Sequence, residues 1–432
     1  MLNRLISKPL ACLCLLFLLI MQGAYAQHKR INFTSITSKD GLSSNVVTAI
    51  LKDRYGIMWF ATEDGLNKYD GTSFTVYRHI AADSNSLPTN EVVALHEDRF
   101  GTLWIGTNGG SICSYDRQQD KFKRLPSHKG FNNKDNVIRA IASDYLGHIW
   151  ISNVNGLSIL DPKKRKLTNL PLGAEKSGRL ASKTVLCIFE DSKRRLWVGS
   201  ADGLFLYHRA TNSFSHYTHV PGDAGSLPGN AVRSVEEDAK GSIWIGTDRG
   251  LSKLLPDGTR FERFRYGEGK GAISSSDIYS VVAEPNGKLW LGTEDGINVL
   301  DIHSGNIDVY KQDSRNIYSL AGKSVRCIYI DNLGTHWIST YKGGINKSDV
   351  NLNLFNLKRS NPFDDRGLSA SNVTSFAETD NGDIFIGTDG GGLNLFDRQT
   401  GLFRHFDIRP KNSITSPKLA VLSLVPFQAF WI

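Results

Sequence analysis

The eight tryptophans of this 432-residue chain fall on one ruler: Trp59, Trp104, Trp150, Trp197, Trp244, Trp290, Trp337 and Trp431, with Phe385 at the one mark that lacks an indole. Counting Phe385, the successive gaps are 45, 46, 47, 47, 46, 47, 48 and 46 residues. A fixed period of this size marks a chain built from one repeated supersecondary unit. The units are too long for leucine-rich repeats, and no 3.6-residue apolar periodicity runs through them, so helical solenoids are excluded as well.

Each mark sits in the same local sentence, as in Val92 to Gly110 (VVALHEDRFGTLWIGTNGG), Val232 to Gly250 (VRSVEEDAKGSIWIGTDRG) and Ile278 to Gly296 (IYSVVAEPNGKLWLGTEDG). The first run is apolar twelve and nine residues before the aromatic, as at Val232/Val235 and Val325/Ile328, so both of its faces read as buried. Ten residues before the mark the side chain is always small: Ala49, Ala94, Ala140, Cys187, Ser234, Ser280, Cys327 and Ser375. Such a restriction points to crowded backbones, as on the innermost strand of a radial array. Asp53, Asp98, Asp144, Asp191, Asp238 and Asp331 come six before the mark, and glycine usually three before it, which is hairpin-turn chemistry. A Phe-x-x-aromatic element closes the unit at Phe74 to Tyr77, Phe214 to Tyr217, Phe261 to Phe264 and Phe403 to Phe406.

Four short strands per unit, repeated, predict an all-β chain folded as a β-propeller of four-stranded blades, because one blade cannot bury both faces alone. Trp59, Trp104, Trp150, Trp197, Trp244, Trp290, Trp337 and Phe385 are the expected structural core of the repeats. Ile31 to Ile36 (INFTSI) resembles the closing strand and precedes the first inner strand, so it is expected beside Gly344 to Ser348, latching a seven-bladed ring. The expected organisation is a signal peptide at 1–26, a seven-bladed propeller at 27–350, and the incomplete first blades of a second propeller at 351–432. In this reading Asn353 to Leu357 opens the second ring. An eight-bladed ring that includes the Phe385 unit is the alternative.

The WD40 and kelch signatures are missing, and the acidic residue lies one position too far from the glycine for the Asp-box of sialidases. The recurring Asp-x-x-Gly-x-x-Trp-Ile-Gly-Thr-x-x-Gly-Leu core resembles the two-component regulator propeller repeat, over about residues 31 to 424. The resemblance implies the sensor portion of a hybrid two-component system. In that family exported tandem propellers precede an Ig-like domain, a membrane span, a histidine kinase and a response regulator, and they detect breakdown products of complex polysaccharides. It also implies an oligosaccharide ligand and a homodimer of the kind full-length sensors form.

The ends bear on location. Arg4 and Lys8, the apolar stretch from Leu10 to Met21, and Ala24-Tyr25-Ala26 read as an export signal cleaved after Ala26, which places the chain in the periplasm; a retained N-terminal anchor is the alternative. No second apolar stretch suggests a span. Val421 to Leu424 starts a further inner strand, but Val425 to Ile432 lacks the acidic and glycine turn residues, so the chain reads as truncated inside a blade.

The formal charge is +8, and its one basic run, Lys163 to Lys166, reads as a solvated loop between blades, so nucleic acid is not indicated. Cys113, Cys187 and Cys327 read as small core residues. The histidines, His216 and His219 included, sit at unrelated phases of the repeat with no metal-ligand spacing, and Gly390-Gly391-Gly392 belongs to the repeat's own glycine turn. The expectation is therefore no enzyme, no cofactor, no metal and no catalytic set. The competing readings are a lyase-like propeller, whose Gly-x-x-Trp-Phe-Thr core is echoed at Trp59-Phe60-Ala61-Thr62, and a protein-interaction scaffold.

The informative residues stand where the repeat tolerates variation. Eleven before each mark the chain places Thr48, Val93, Arg139, Leu186, Arg233, Tyr279, Arg326 and Thr374. Arginine forks bind carboxylates and sulfates, and tyrosine stacks on sugar rings. Arg139, Arg233, Tyr279 and Arg326 are thus the candidate ligand-binding residues; the competing reading pairs the arginines with turn carboxylates of adjacent blades.

Overall fold

The turn that carries the acidic residue explains how one sheet is made. Asp53 Oδ1 accepts the backbone N–H groups of Tyr55 and Ile57 at 2.9 and 3.0 Å, which fixes the tight turn. Gly56 follows at φ +85°, a conformation that costs an L side chain about 1 kcal/mol or more. The other carboxylate oxygen accepts the Trp59 indole N–H at 2.7 Å. The same bond recurs at Asp98–Trp104, Asp144–Trp150, Asp191–Trp197 and Asp238–Trp244. These acidic residues therefore do more than stabilise turns. Each lets an indole be buried with its only polar atom satisfied, and burial of that size is worth roughly 5 kcal/mol gross.

A computed structural model describes residues 31–406, apart from 110, 126–136, 154–155, 165, 171–179, 181, 183, 265, 268–271, 350–357, 359 and 361–365. The expected signal peptide and its cleavage site, the Asn353 to Leu357 strand and the Val421 to Ile432 segment lie outside the described residues. Eight four-stranded antiparallel sheets account for nearly all regular structure. In the Trp59 sheet the order from inside outward is Val47–Lys52, Met58–Thr62, Gly65–Tyr69 and Phe74–Tyr77. The sheets of Trp104, Trp150, Trp197, Trp244, Trp290 and Phe385 repeat that plan.

The Trp337 sheet differs in one respect. Its fourth strand is Thr34–Ile36, from the other end of the described chain, with Ser35 opposite Asn346 and Ile36 opposite Ile345. The strand thus lies beside Gly344–Ser348, the neighbour expected for it. Phe33, just before it, is buried beside Trp290 and Leu320. The inner strands neighbour one another in sequence order from Val47–Lys52 to Val325–Ile330, and Val325–Ile330 in turn neighbours Val47–Lys52. Across that last contact Lys52 Nζ meets Asp331 Oδ2 at 3.0 Å, and Trp337 packs on Phe60 with ring centroids 5.7 Å apart. Asp331 Oδ2 is the oxygen whose counterparts elsewhere serve the indole, and the Trp337 N–H has no hydrogen-bond partner among the described residues.

The small residue ten before each indole is explained by what lies across the ladder. Cys187 sits opposite Gly199, whose missing Cβ would stand 2.4 Å from the Cys187 Sγ and 2.8 Å from Val232 of the next sheet. Small hydroxyls here also reach across sheets: Ser234 Oγ accepts the Val281 N–H at 3.1 Å, and Ser280 Oγ the Ile328 N–H at 3.3 Å. Inner-strand N–H groups that have no ladder partner are satisfied by the preceding sheet. The three described cysteines are free thiols, and burial pushes the Cys187 thiol up to about 12.

Candidate functional site

The variable position eleven before the indole is a β-bulge. Register slips by one residue between Val47 and Ala49, Val92 and Ala94, Val185 and Cys187, Val232 and Ser234, Ile278 and Ser280, Val325 and Cys327, and Val373 and Ser375. The skipped residues are Thr48, Val93, Leu186, Arg233, Tyr279, Arg326 and Thr374. A bulged residue is left out of the ladder and its side chain is re-aimed, which is why bulges gather beside functional sites. The repeat thus fixes the backbone and leaves this side chain free to vary.

Three of the four candidate residues come together. The guanidinium carbons of Arg233 and Arg326 lie 4.6 and 3.9 Å from the Tyr279 ring centroid. Arg326 is also 5.5 Å from the ring of Tyr341. Arg233 Nη1 pairs with Asp277 Oδ1 at 2.5 Å. Glu294 Oε2 accepts from the Tyr279 hydroxyl at 2.9 Å and from Ser324 Oγ at 2.9 Å, and lies 3.4 Å from Arg326 Nη2. Burial works to raise the Glu294 carboxyl, but the hydrogen bonds from Tyr279 and Ser324 and the charges of Arg326 and Lys323 outweigh it and hold it below its ordinary range. Desolvation and the bond to Glu294 push the Tyr279 phenol up, so it remains a neutral hydrogen-bond donor.

The result is an alternation of cations and rings across the Trp244, Trp290 and Trp337 sheets, each arginine held by a carboxylate but still part-exposed. Such an array offers fork-like donors and aromatic faces together. Arg139 is not part of it. It precedes the short inner strand Ile141–Ser143, is exposed, and makes no hydrogen bond, ion pair or ring contact with these three among the described residues. The arginines do pair with carboxylates, but with Asp277 and Glu294 rather than with the turn aspartates.

Glu294 and Tyr341 were missed by sequence reasoning, although a signal existed. Both stand four residues after an indole, in the hairpin between second and third strands, where the repeat places Glu63, Asn108, Ala201, Asp248, Glu294, Tyr341 and Asp389. Two variable positions of the repeat meet at one face. Elsewhere the expectations need one correction: the described part of the Lys163 to Lys166 run lies in the hairpin from Gly156–Asp161 to Lys166–Leu170, inside the Trp150 sheet and not between blades. His216 stacks on Phe205 at 4.0 Å, and His219 Nδ1 contacts the Leu227 carbonyl at 2.8 Å, so both have structural work. Among the described residues no group of three or more His, Cys, Asp or Glu side chains is placed to hold a metal.

The sequence profile described as "Two component regulator propeller" matches residues 41–64, 86–109, 179–202, 226–249 and 367–390. Over 73 residues, 17% of this chain and 5% of the relative, the sequence is 41% identical to Histidine kinase P4 of Formosa agariphila. Among solved structures, the extracellular domain of the hybrid two component system BT3049 from B. thetaiotaomicron superposes with a TM-score of 0.64 at 28% identity, covering 87% of this chain and 49% of that one. The extracellular domain of BT4673 from the same organism gives 0.62 at 22% identity, with 89% and 54% covered. Virginiamycin B lyase from Staphylococcus aureus shares the fold, at 0.55 and 15% identity over 74% of this chain and 99% of that one. The chain spans about half the length of the solved extracellular domains it matches. Five segments of the chain thus carry the two-component regulator propeller repeat, and the fold is similar to that of the extracellular propeller domains of hybrid two component systems.

Proposed function

We propose that the chain is the ligand-binding propeller of an exported sensor in a hybrid two-component system, and that its ligands are oligosaccharides released from complex polysaccharides. The observation that carries this reading is the convergence of Arg233, Tyr279 and Arg326, three bulge residues from three sheets, on one face. Arginine forks suit carboxylate or sulfate groups, and the Tyr279 and Tyr341 rings suit the apolar face of a pyranose. The kinase and response regulator that would read the binding event belong to the remainder of such a protein, and ligand would act by favouring one domain arrangement over another.

In the domain arrangement proposed, a signal peptide at 1–26 is removed after Ala26 and the mature chain works in the periplasm. Residues 27–350 form a seven-bladed ring latched by Thr34–Ile36, and 351–432 begin a second propeller; the strand pairing of Thr34–Ile36 with Gly344–Ser348 supports this. Calorimetry of the chain against charged and neutral oligosaccharides tests the function. Heat of binding that disappears in Arg233→Gln/Arg326→Gln supports it, with Arg139→Gln as the test of the fourth residue. Affinity unchanged in the double variant sinks the site, and no binding to any member of the panel sinks the reading.

A further inference from the structure

The opposite ends of the inner strands carry a second feature, on the face formed by the acidic turns. Four residues before each indole the chain places a residue that the turn holds out to solvent. In consecutive sheets it is Leu333, Tyr55, Phe100, Leu146, Lys193, Lys240 and Asn286. The first four are 73, 67, 53 and 49% exposed, and Tyr145 beside Leu146 is 40% exposed. Because the position is equivalent in every repeat, the turn itself does not demand apolar side chains, as the lysines and asparagine of the other sheets demonstrate. Four neighbouring sheets therefore present one apolar arc, of the kind that marks an interaction surface when it is contiguous.

The charges around the arc are sorted by depth. The carboxylates of Asp53 and Asp144 are fully buried, spent on indoles, backbone and arginines, and those of Glu97 and Glu190 are nearly so. The cations are outside. Arg54, Arg99, Lys163 and Arg194 are exposed, and Lys193 and Lys240 continue the ring where the apolar arc stops. Each exposed ring has a guanidinium beside it: Arg117 at 4.7 Å from Tyr55, Arg99 at 4.9 Å from Phe100, and Arg194 at 4.8 Å from Tyr145. Aromatic side chains interleaved with arginine on locked turns are the composition of protein interface centres.

We infer that this arc docks an acidic polypeptide segment whose apolar side chains seat between Leu333, Tyr55, Phe100 and Leu146 while its carboxylates face the rim of arginines and lysines. A second copy of the chain fits poorly, since it would set this cationic rim against itself. A lipid surface would need side chains free to sink, whereas these rings are braced by cations and by turns tied to buried carboxylates.

The test uses the full chain and a labelled synthetic peptide that alternates glutamate with leucine and phenylalanine, its lysine-for-glutamate counterpart, and vesicles of phosphatidylethanolamine with phosphatidylglycerol. The acidic peptide is expected to bind, less tightly as salt rises, and to lose about tenfold or more in affinity with Phe100→Ser/Leu333→Ser but not with Asn286→Ser. All substituted side chains are exposed, so unchanged tryptophan fluorescence and melting certify the fold. Absence of peptide binding, equal binding of the basic peptide, or affinity unmoved by the double variant overturns the inference. So does vesicle co-sedimentation or self-association that the double variant abolishes while peptide binding survives.

Discussion

Asp238 holds the Trp244 indole N–H at 2.9 Å with one carboxylate oxygen, while the other accepts the backbone N–H groups of Lys240 and Ser242, each at 2.9 Å. The eighth sheet shows what happens when both members of that relationship are replaced. Phe385 has no N–H to offer, and Thr379 stands where the carboxylate would be, turning its hydroxyl to the Asp383 carbonyl at 2.9 Å.

The pair should therefore behave as one energetic unit. Asp238→Thr and Trp244→Phe are each expected to destabilise the ring by about 2–3 kcal/mol, the first by stranding a buried N–H. Together they should cost about 1 kcal/mol less than the sum of the singles. Denaturant unfolding of the four species checks this, and strict additivity would refute the coupling.

Phe33 leads the Thr34–Ile36 strand into the Trp337 sheet and is only 2% exposed. Phe33→Ala should cost about 3–5 kcal/mol if that strand closes the ring in solution, through the lost area and the cavity beside Trp290 and Leu320. A frayed strand predicts almost no change in the melting temperature.

Arg194 occupies the turn position that is glycine in the other sheets, at φ +63°. Arg194→Gly should relieve roughly 1 kcal/mol of backbone strain, partly offset by loss of the cation beside Tyr145. A net rise in stability on thermal unfolding is the expected outcome, and a fall would mean the Tyr145 contact is worth more than the strain.

Glu236 lies on the inner strand Val232–Glu237, where desolvation pushes its carboxyl up to about 7 against the bond from the Ala283 N–H. A folded-state value above the unfolded one means the folded chain holds the proton more tightly, so this group destabilises progressively as pH rises from the ordinary carboxylate range through 7. Glu236→Gln should remove that slope and stabilise the chain at pH 8 by about 2 kcal/mol, allowing for residual exposure. His96 works in the same window with opposite sign: burial lowers it to about 4, so its contribution is present at neutral pH and lost as pH falls below the usual histidine value. Urea titrations at pH 5 and pH 8 on the single variant separate the two.

What the sequence disclosed followed from repetition. Residues that most units share, such as the indoles, the small residue opposite Gly199 and the turn aspartates, recur at fixed phase and so announce both fold and strand order. The indole acceptor role of Asp53 left no separate trace, because turn and hydrogen bond ask for the same residue. Arg233, Tyr279 and Arg326 were legible as exceptions at a variable phase. Their meeting with Glu294 and Tyr341 was not, since contacts between sheets depend on how far a bulge turns each side chain. Arg139 shows the limit: it has the right phase, yet it precedes a strand in which no register slip re-aims it.

The bulged residue at the head of seven inner strands has a further consequence. Since the register of the ladder steps over it, substitution there leaves the strand pairing intact, and chemical preference at that face is free to drift while the scaffold stays under constraint. A library randomised at 48, 93, 186, 233, 279, 326 and 374 should retain soluble, folded members in far greater proportion than one randomised a single residue later, where side chains from neighbouring sheets are pressed together.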